Sequence, residues 1–187
     1  MLKRLFDIAV VLISLPIVLP IAMGVAIAIV VTDGRPILYW SRRVGRNNVL
    51  FSMPKFRTMR RDTPAVATHL LVDPRSVLIP VGGVLRSSSL DELPQLISVL
   101  RGDMTFVGPR PALFNQDDLV ELRTRYDVHR LTPGITGWAQ INGRDDLSIA
   151  EKVVYEREYL ERHTMAFDLK ILWLTFRSVL TRSGVHH

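Results

Sequence analysis

The apolar and polar positions of the chain form one long greasy run, followed by shorter alternating and amphipathic segments. Lys3 and Arg4 precede a run from Leu5 to Val31 in which Asp7 is the only charge. At about 1.5 Å per residue this run makes roughly 40 Å of helix, more than the roughly 30 Å hydrocarbon core of a bilayer. It is too long for the apolar stretch of a signal peptide, and no polar cleavage zone follows it. Pro16 and Pro20 fall near its middle. Each removes a backbone donor and crowds the preceding turn, so a break or kink is expected there. Both flanks are basic, with Lys3 and Arg4 before the run and Arg35, Arg42, Arg43 and Arg46 after it. Basic flanks favour the cytoplasmic side of a membrane. A helix that enters, bends at proline and returns keeps both flanks there, whereas a spanning helix keeps one. The pattern by itself leaves both topologies open.

Beyond the run, Thr32-Asp33-Gly34-Arg35-Pro36 is a turn. Ile37–Trp40 and Val49–Met53 read as short strands joined by the basic turn 42–48, a hairpin. Tyr39 and Trp40 suit either a membrane interface or the core. Residues 62–73 read as a loop or short helix. Asp91 to Leu100 is expected to be helical, with Leu93, Leu96, Ile97 and Leu100 inward and Pro94 in the first turn. Phe106 to Pro111 reads as a rigid loop, Asp117 to Leu131 as an amphipathic helix, and Thr132 to Trp138 as turn-rich. Ser148 to His163 is a charged helix opened by a capping box, Ser148 with Glu151. Asp168 to Arg182 carries an apolar face, including Leu172, Trp173 and Phe176, beside Lys170 and Arg177. Such a helix closes a core or lies in the plane of a membrane interface. The expected class is α+β, mainly helical with a small hairpin. Residues 1–32 form the membrane helix and 33–187 one compact domain.

The net charge of +6 over 187 residues favours anionic partners: nucleic acid, acidic headgroups or phosphorylated substrates. Nucleic acid fits least, because acids interrupt the basic residues and no recognised binding module is present. The absence of cysteine excludes disulfides, thiol nucleophiles and Cys-based zinc sites. No H-E-x-x-H, P-loop or G-x-S-x-G pattern occurs.

The stretch Ser89-Leu90-Asp91-Glu92-Leu93-Pro94-Gln95-Leu96 carries the candidate chemistry. Taken alone, Asp91 and Glu92 complement a helix dipole, and Ser89 with Glu92 forms a capping box. The surroundings add a second reading. Arg86 precedes the pair, Arg110 lies in the loop Gly108-Pro109-Arg110-Pro111, and Lys55 lies in the basic patch Lys55-Phe56-Arg57-Thr58-Met59-Arg60-Arg61. Arginine forks and a lysine charge bind phosphate oxygens, and two carboxylates suit Mg²⁺ beside a phosphate-bearing substrate. These parts match phosphoryl transfer, with an aspartate able to form an acyl phosphate.

The chain resembles the bacterial sugar transferase family in its small monotopic form, the polyprenyl-phosphate phosphoglycosyl transferases. The resemblance rests on ordered blocks along nearly the whole sequence: Lys3 to Asp7, Lys55 to Met59, Ser89 to Leu96, Gly102 to Met104, Val107 to Pro111, Pro133 to Arg144 and Asp168 to Ile171. It implies transfer of a sugar 1-phosphate from a UDP-sugar to polyprenyl phosphate, with release of UMP, through a covalent aspartyl phospho-sugar. Asp91 matches the nucleophile and Glu92 its partner, with Mg²⁺ held by one or both. Arg86 and Arg110 match phosphate-binding positions, and Lys55, Arg57, Gln140, Arg144 and Asp168 are further candidate substrate contacts. The resemblance also implies a re-entrant helix at the cytoplasmic (inner) membrane, broken near Pro20, and it is compatible with a homodimer. Here Leu19 stands where the family has serine, and Pro16 is additional. A basic membrane-surface module without activity is the competing reading, and transfer of the sugar alone, releasing UDP, is the competing chemistry.

Overall fold

A computed structural model of the chain describes residues 2–63, 73, 76–143 and 146–181. The chain opens with helix α1 (Leu2–Asp33), whose inward stripe is Asp7, Val11, Leu15, Val18, Ala22, Val25 and Ile29. Steps of three and four residues keep these positions on one helical face. The opposite face stays bare, with Ile13 77% and Val31 78% exposed. Residues on both halves of α1 enter the core. Val11 packs in a cluster with Met53, Val99 and Met104, while Val25 and Ile29 pack with Phe56, Ile79 and Leu85.

The expected helix break is not seen as an interruption: α1 is helical through Pro16 and Pro20. Each proline deletes one backbone bond, and both rings lie on the exposed face, where they displace no packed neighbour. The ends of α1 are tied to the body by polar contacts. Near the start, Lys3 donates to Asp168 and to the Val107 carbonyl, and Arg4 donates to the carbonyls of Val99 and Leu100. The buried Asp7 accepts from Thr105 Oγ1 at 2.7 Å and from the Phe106 N–H at 3.2 Å. At the other end, Arg57 pairs with Asp33.

Strands β1 (Leu38–Val44) and β2 (Leu50–Phe56) form the expected antiparallel hairpin, but it is longer than the sequence suggests. Arg42 and Arg43 belong to β1, and the turn begins at Gly45. Helix α2 (Gly82–Ser87) leads to the central stretch, which is not one helix. Leu90–Glu92 is a separate 3-10 turn, and α3 (Gln95–Arg101) begins after Pro94. Ser89 does not cap it: its backbone is left-handed (φ 56°) and its hydroxyl makes no capping bond. The tight reversal at Ser89 aims the two carboxylates without help from a capping side chain.

Two short strands follow, β3 (Thr105–Val107) and β4 (Ala112–Leu113), and β4 extends the hairpin sheet on the β1 side. Helix α4 (Asp117–Arg125) is shorter than expected; a left-handed Asp127 and a 3-10 turn at Val128–Arg130 end it. Strand β5 (Gly134–Thr136), read as a turn from sequence, pairs in parallel with β3. Gly108 and Gly134 make this approach possible. A Cβ on Gly134 would lie 2.2 Å from the Gly108 nitrogen, and one on Gly108 would lie 2.3 Å from the Thr132 carbonyl oxygen. Helix α5 (Trp138–Ile141) precedes α6 (Ile149–Arg162), which opens with the expected Ser148–Glu151 capping box. Helix α7 (Met165–Thr181) buries Phe167, Asp168 and Ile171. Its other face leaves Leu169, Trp173, Phe176 and Val179 at least half exposed. The helix thus closes the core on one side and presents an apolar face on the other.

Candidate active site

Strand alternation places Met53 and Lys55 on the face of the hairpin that receives the 3-10 turn. Lys55 Nζ donates to Glu92 Oε1 at 2.7 Å and lies 3.9 Å from Asp91 Oδ2. Adjacent residues on a regular helix diverge by about 100°. The 3-10 turn nonetheless brings both carboxylates to one ammonium. Arg110 also approaches Glu92, its Nη2 3.9 Å from Oε1. A shallow open hollow is lined by Arg43, Lys55, Glu92, Gln95, Arg110 and Gly134, among others.

The loop carrying Arg110 is held by its own backbone. Gly108 N–H donates to the Thr136 carbonyl at 2.9 Å, and Gly134 N–H donates to the Pro109 carbonyl at 2.8 Å. Arg123 Nη2 donates to the Arg110 carbonyl at 2.9 Å, and Arg43 Nη1 to the Pro111 carbonyl at 3.1 Å. Arg123 is itself locked by a buried two-pronged pair with Glu156. The Arg110 side chain therefore projects from a loop with each of its four residues bonded, which limits the entropy lost on gripping a ligand.

The two carboxylates have opposite acidities. Burial raises Asp91 above the usual carboxylate range; Lys55 and Arg86 oppose the shift, and the neighbouring Glu92 charge adds to it. Burial also works to raise Glu92. There Lys55, Arg110 and hydrogen bonds from Lys55 and Gln95 outweigh it and hold the group at about 2. Burial lowers Arg43 to about 10, with a further push from Arg110.

Of the candidate residues, Asp91, Glu92, Lys55 and Arg110 converge, and Arg86 lies close enough to act on the Asp91 charge. Arg57 is directed elsewhere: it holds Asp33 and the carbonyls of Pro36 and Gly34 at the end of α1. Asp168 joins Lys3 and the Tyr159 hydroxyl. Gln140 donates to the Ile135 carbonyl beside the hollow, and its own side-chain oxygen is buried without a partner. Arg144 lies outside the described residues. Sequence reading missed Arg43, Gln95 and Arg123. In sequence Arg43 reads as part of a turn, and its alternation with Ser41 on one strand face is the available signal. The other two depend on contacts with residues distant in sequence.

Among the described residues, no three His, Asp or Glu side chains gather into a metal cage. Mg²⁺ bound beside phosphates commonly takes only one or two carboxylates and completes its shell with phosphate oxygens and water. The Asp91–Glu92 pair fits that sparse donor set.

Comparison with known proteins identifies the family of the chain. The profile of the family described as bacterial sugar transferase matches residues 1–182. An uncharacterized sugar transferase of Bacillus subtilis, EpsL, is 38% identical over 98% of this chain and 90% of its own length. The exopolysaccharide production protein ExoY of Rhizobium meliloti is 34% identical over 98% of this chain and 88% of its own. The UDP-glucose:undecaprenyl-phosphate glucose-1-phosphate transferase of Escherichia coli is 38% identical over 94% of this chain, which matches 39% of that longer protein. With the family profile matched over residues 1–182 and relatives such as EpsL matched over nearly their whole length, the chain belongs to the bacterial sugar transferase family.

Proposed function

We propose that the protein transfers a sugar 1-phosphate from a UDP-sugar to polyprenyl phosphate, with Asp91 as the covalent carrier. An Asp91 oxygen attacks the phosphorus that bears the sugar. The bond from that phosphorus to the bridging oxygen breaks, and UMP leaves with the electron pair. An oxygen of the lipid phosphate then attacks the same phosphorus, and Asp91 leaves as a carboxylate. The product is a lipid-linked sugar diphosphate, and each step forms one P–O bond and breaks one.

The observation that carries this reading is the unequal treatment of Asp91 and Glu92 by Lys55. Glu92 is tied down by a direct ammonium bond and stays anionic. Asp91 is buried and more basic, and carries a weaker counter-charge, as suits a carboxylate that must use its lone pair. Arg110 and Lys55 bind phosphate oxygens and offset the charge that develops on the leaving group. Mg²⁺ held by Asp91, Glu92 or both would neutralise part of the diphosphate charge. The names of relatives such as the Escherichia coli transferase support the substrate pair.

The attachments of α1 favour a re-entrant placement in the cytoplasmic (inner) membrane, with the hollow facing the cytoplasm. A crossing helix would carry one end about 30 Å from the domain. Here Lys3 and Asp7 at one end and Asp33 at the other bond to the same body. The exposed apolar faces of α1 and α7 are left for lipid.

Purified protein in membranes, given UDP-sugars, polyprenyl phosphate and Mg²⁺, should release UMP and not UDP, and Asp91→Asn should lose this activity about 10³-fold or more. UDP as the product would indicate transfer of the sugar alone. Full UMP release by Asp91→Asn would remove the carrier assignment.

A further inference from the structure

We infer that Arg43 is a phosphate-binding residue, facing the hollow beside Arg110. The proposal rests on the phosphate-transfer reading of the site but not on its covalent step.

Arg43 lies near the turn end of the hairpin, opposite Phe51 on β2 and Leu113 on β4. Its guanidinium is tethered through two of its three nitrogens. Nε donates to Ser41 Oγ at 2.9 Å and Nη1 to the Pro111 carbonyl at 3.1 Å. Both acceptors are neutral. A guanidinium has five N–H donors in a planar fork, and the Nη2 edge of Arg43 has no hydrogen-bond partner among the described residues. Nor does Arg43 form an ion pair among them, unlike the other inward-facing arginines Arg57 and Arg123.

The charge around Arg43 makes this arrangement informative. Arg43, Lys55 and Arg110 line the same hollow, and Glu92 is the acid that lines it with them. Glu92 is already bonded to Lys55 at 2.7 Å. Arg43 and Arg110 repel each other, and burial strips water from Arg43. A partly desolvated cation facing a second cation is costly. An anion between the two forks relieves both costs and can be held by two-pronged, charge-assisted bonds. The tether to Ser41 and Pro111 fixes the plane of the Arg43 fork before a ligand arrives. Lysine's compact ammonium lacks the planar fork that holds two acceptors and still offers a two-pronged grip on a phosphate. The phosphate can belong to the nucleotide diphosphate or to the lipid, and the shared chemistry is a phosphoryl oxygen pair.

The test uses the full chain in detergent or nanodiscs, with Arg43→Met and Arg43→Lys. Binding of pyrophosphate, UDP and uridine is measured alongside melting temperature. Arg43→Met should weaken pyrophosphate and UDP about tenfold or more and leave uridine within twofold, with Arg43→Lys intermediate. If Arg43→Met lowers the melting temperature but leaves pyrophosphate and UDP affinity unchanged, Arg43 merely braces Pro111 and the inference falls. Equal weakening of uridine would likewise point to a distorted fold and overturn it. In turnover assays, a raised KM for the UDP-sugar alone identifies the nucleotide diphosphate as the phosphate held, and a raised KM for polyprenyl phosphate alone identifies the lipid. Because pyrophosphate binding requires no reaction, a wild-type protein that binds pyrophosphate through Arg43 yet releases no UMP would defeat the proposed function and leave this site standing.

Discussion

Lys55 Nζ lies 2.7 Å from Glu92 Oε1 and so settles which of two neighbouring carboxylates is neutralised by a direct bond. Asp91, one residue earlier, is left at 3.9 Å from the same ammonium and is buried to 8% exposure. Burial acts on both acids, and the closer Lys55 bond to Glu92, with help from Arg110 and Gln95, gives the neighbours different acidities. The division of labour proposed for them depends on that difference.

Acid stability should carry the signature of Glu92. Its carboxyl is held at about 2, below the ordinary 4.5. A depressed acid stabilises the fold above its unfolded pKa, and that stability is lost as pH falls from about 4.5 towards 2. Glu92→Gln should flatten denaturation curves within this window. An unchanged pH dependence there would show that Lys55 does not hold Glu92 in solution.

The Arg123–Glu156 pair should matter for both folding and turnover. Breaking a buried pair leaves an uncompensated charge, which costs about 3–5 kcal/mol. Glu156→Gln or Arg123→Met should therefore lower stability by about that amount in denaturant titration. The double variant Arg123→Met with Glu156→Leu should recover much of the stability. It should not recover kcat, because the Arg110 carbonyl still lacks its donor.

Gly108→Ala tests the close approach of β3 and β5. Its Cβ would meet the Thr132 carbonyl oxygen at 2.3 Å, a backbone atom that cannot rotate away. Overpacking of this kind costs about 1–3 kcal/mol. Because the same glycine begins the Arg110 loop, the expected loss of activity exceeds the loss of folded protein, as judged by activity per folded molecule.

The placement of α1 is open to direct labelling, helped by the absence of native cysteine. Leu2→Cys, at the first residue of α1, and Arg35→Cys, just beyond its end, place labels at exposed positions near its two ends. Both should react with an impermeant maleimide added to the cytoplasmic face of vesicles. Reaction of Leu2→Cys from the opposite face alone would show that α1 crosses the membrane.

Local signals in the sequence carried much of the fold. The apolar run, the hairpin and the Ser148–Glu151 box are set by neighbours in the chain, and each is present. The β3–β5 pairing was hidden because strands of three residues show no alternation, and their partners lie about 30 positions apart. Gly108 and Gly134 looked like turn residues, yet they serve a close backbone contact. Ser89 looked like a helix cap by residue type, but its left-handed backbone rules that out. At the site, Asp91 and Glu92 were legible as a local pair, and Arg86, Arg110 and Lys55 as nearby charge. Arg43 was not, because its role depends on β1 extending through what looked like a turn.

The most direct measurement is intact-protein and peptide mass spectrometry after mixing the protein with UDP-sugar and Mg²⁺ in the absence of polyprenyl phosphate. The account predicts a sugar-phosphate adduct on the peptide containing Asp91, a matching burst of UMP, and loss of the adduct when polyprenyl phosphate is added. UMP release only when both substrates are present, with no adduct on Asp91, would contradict it.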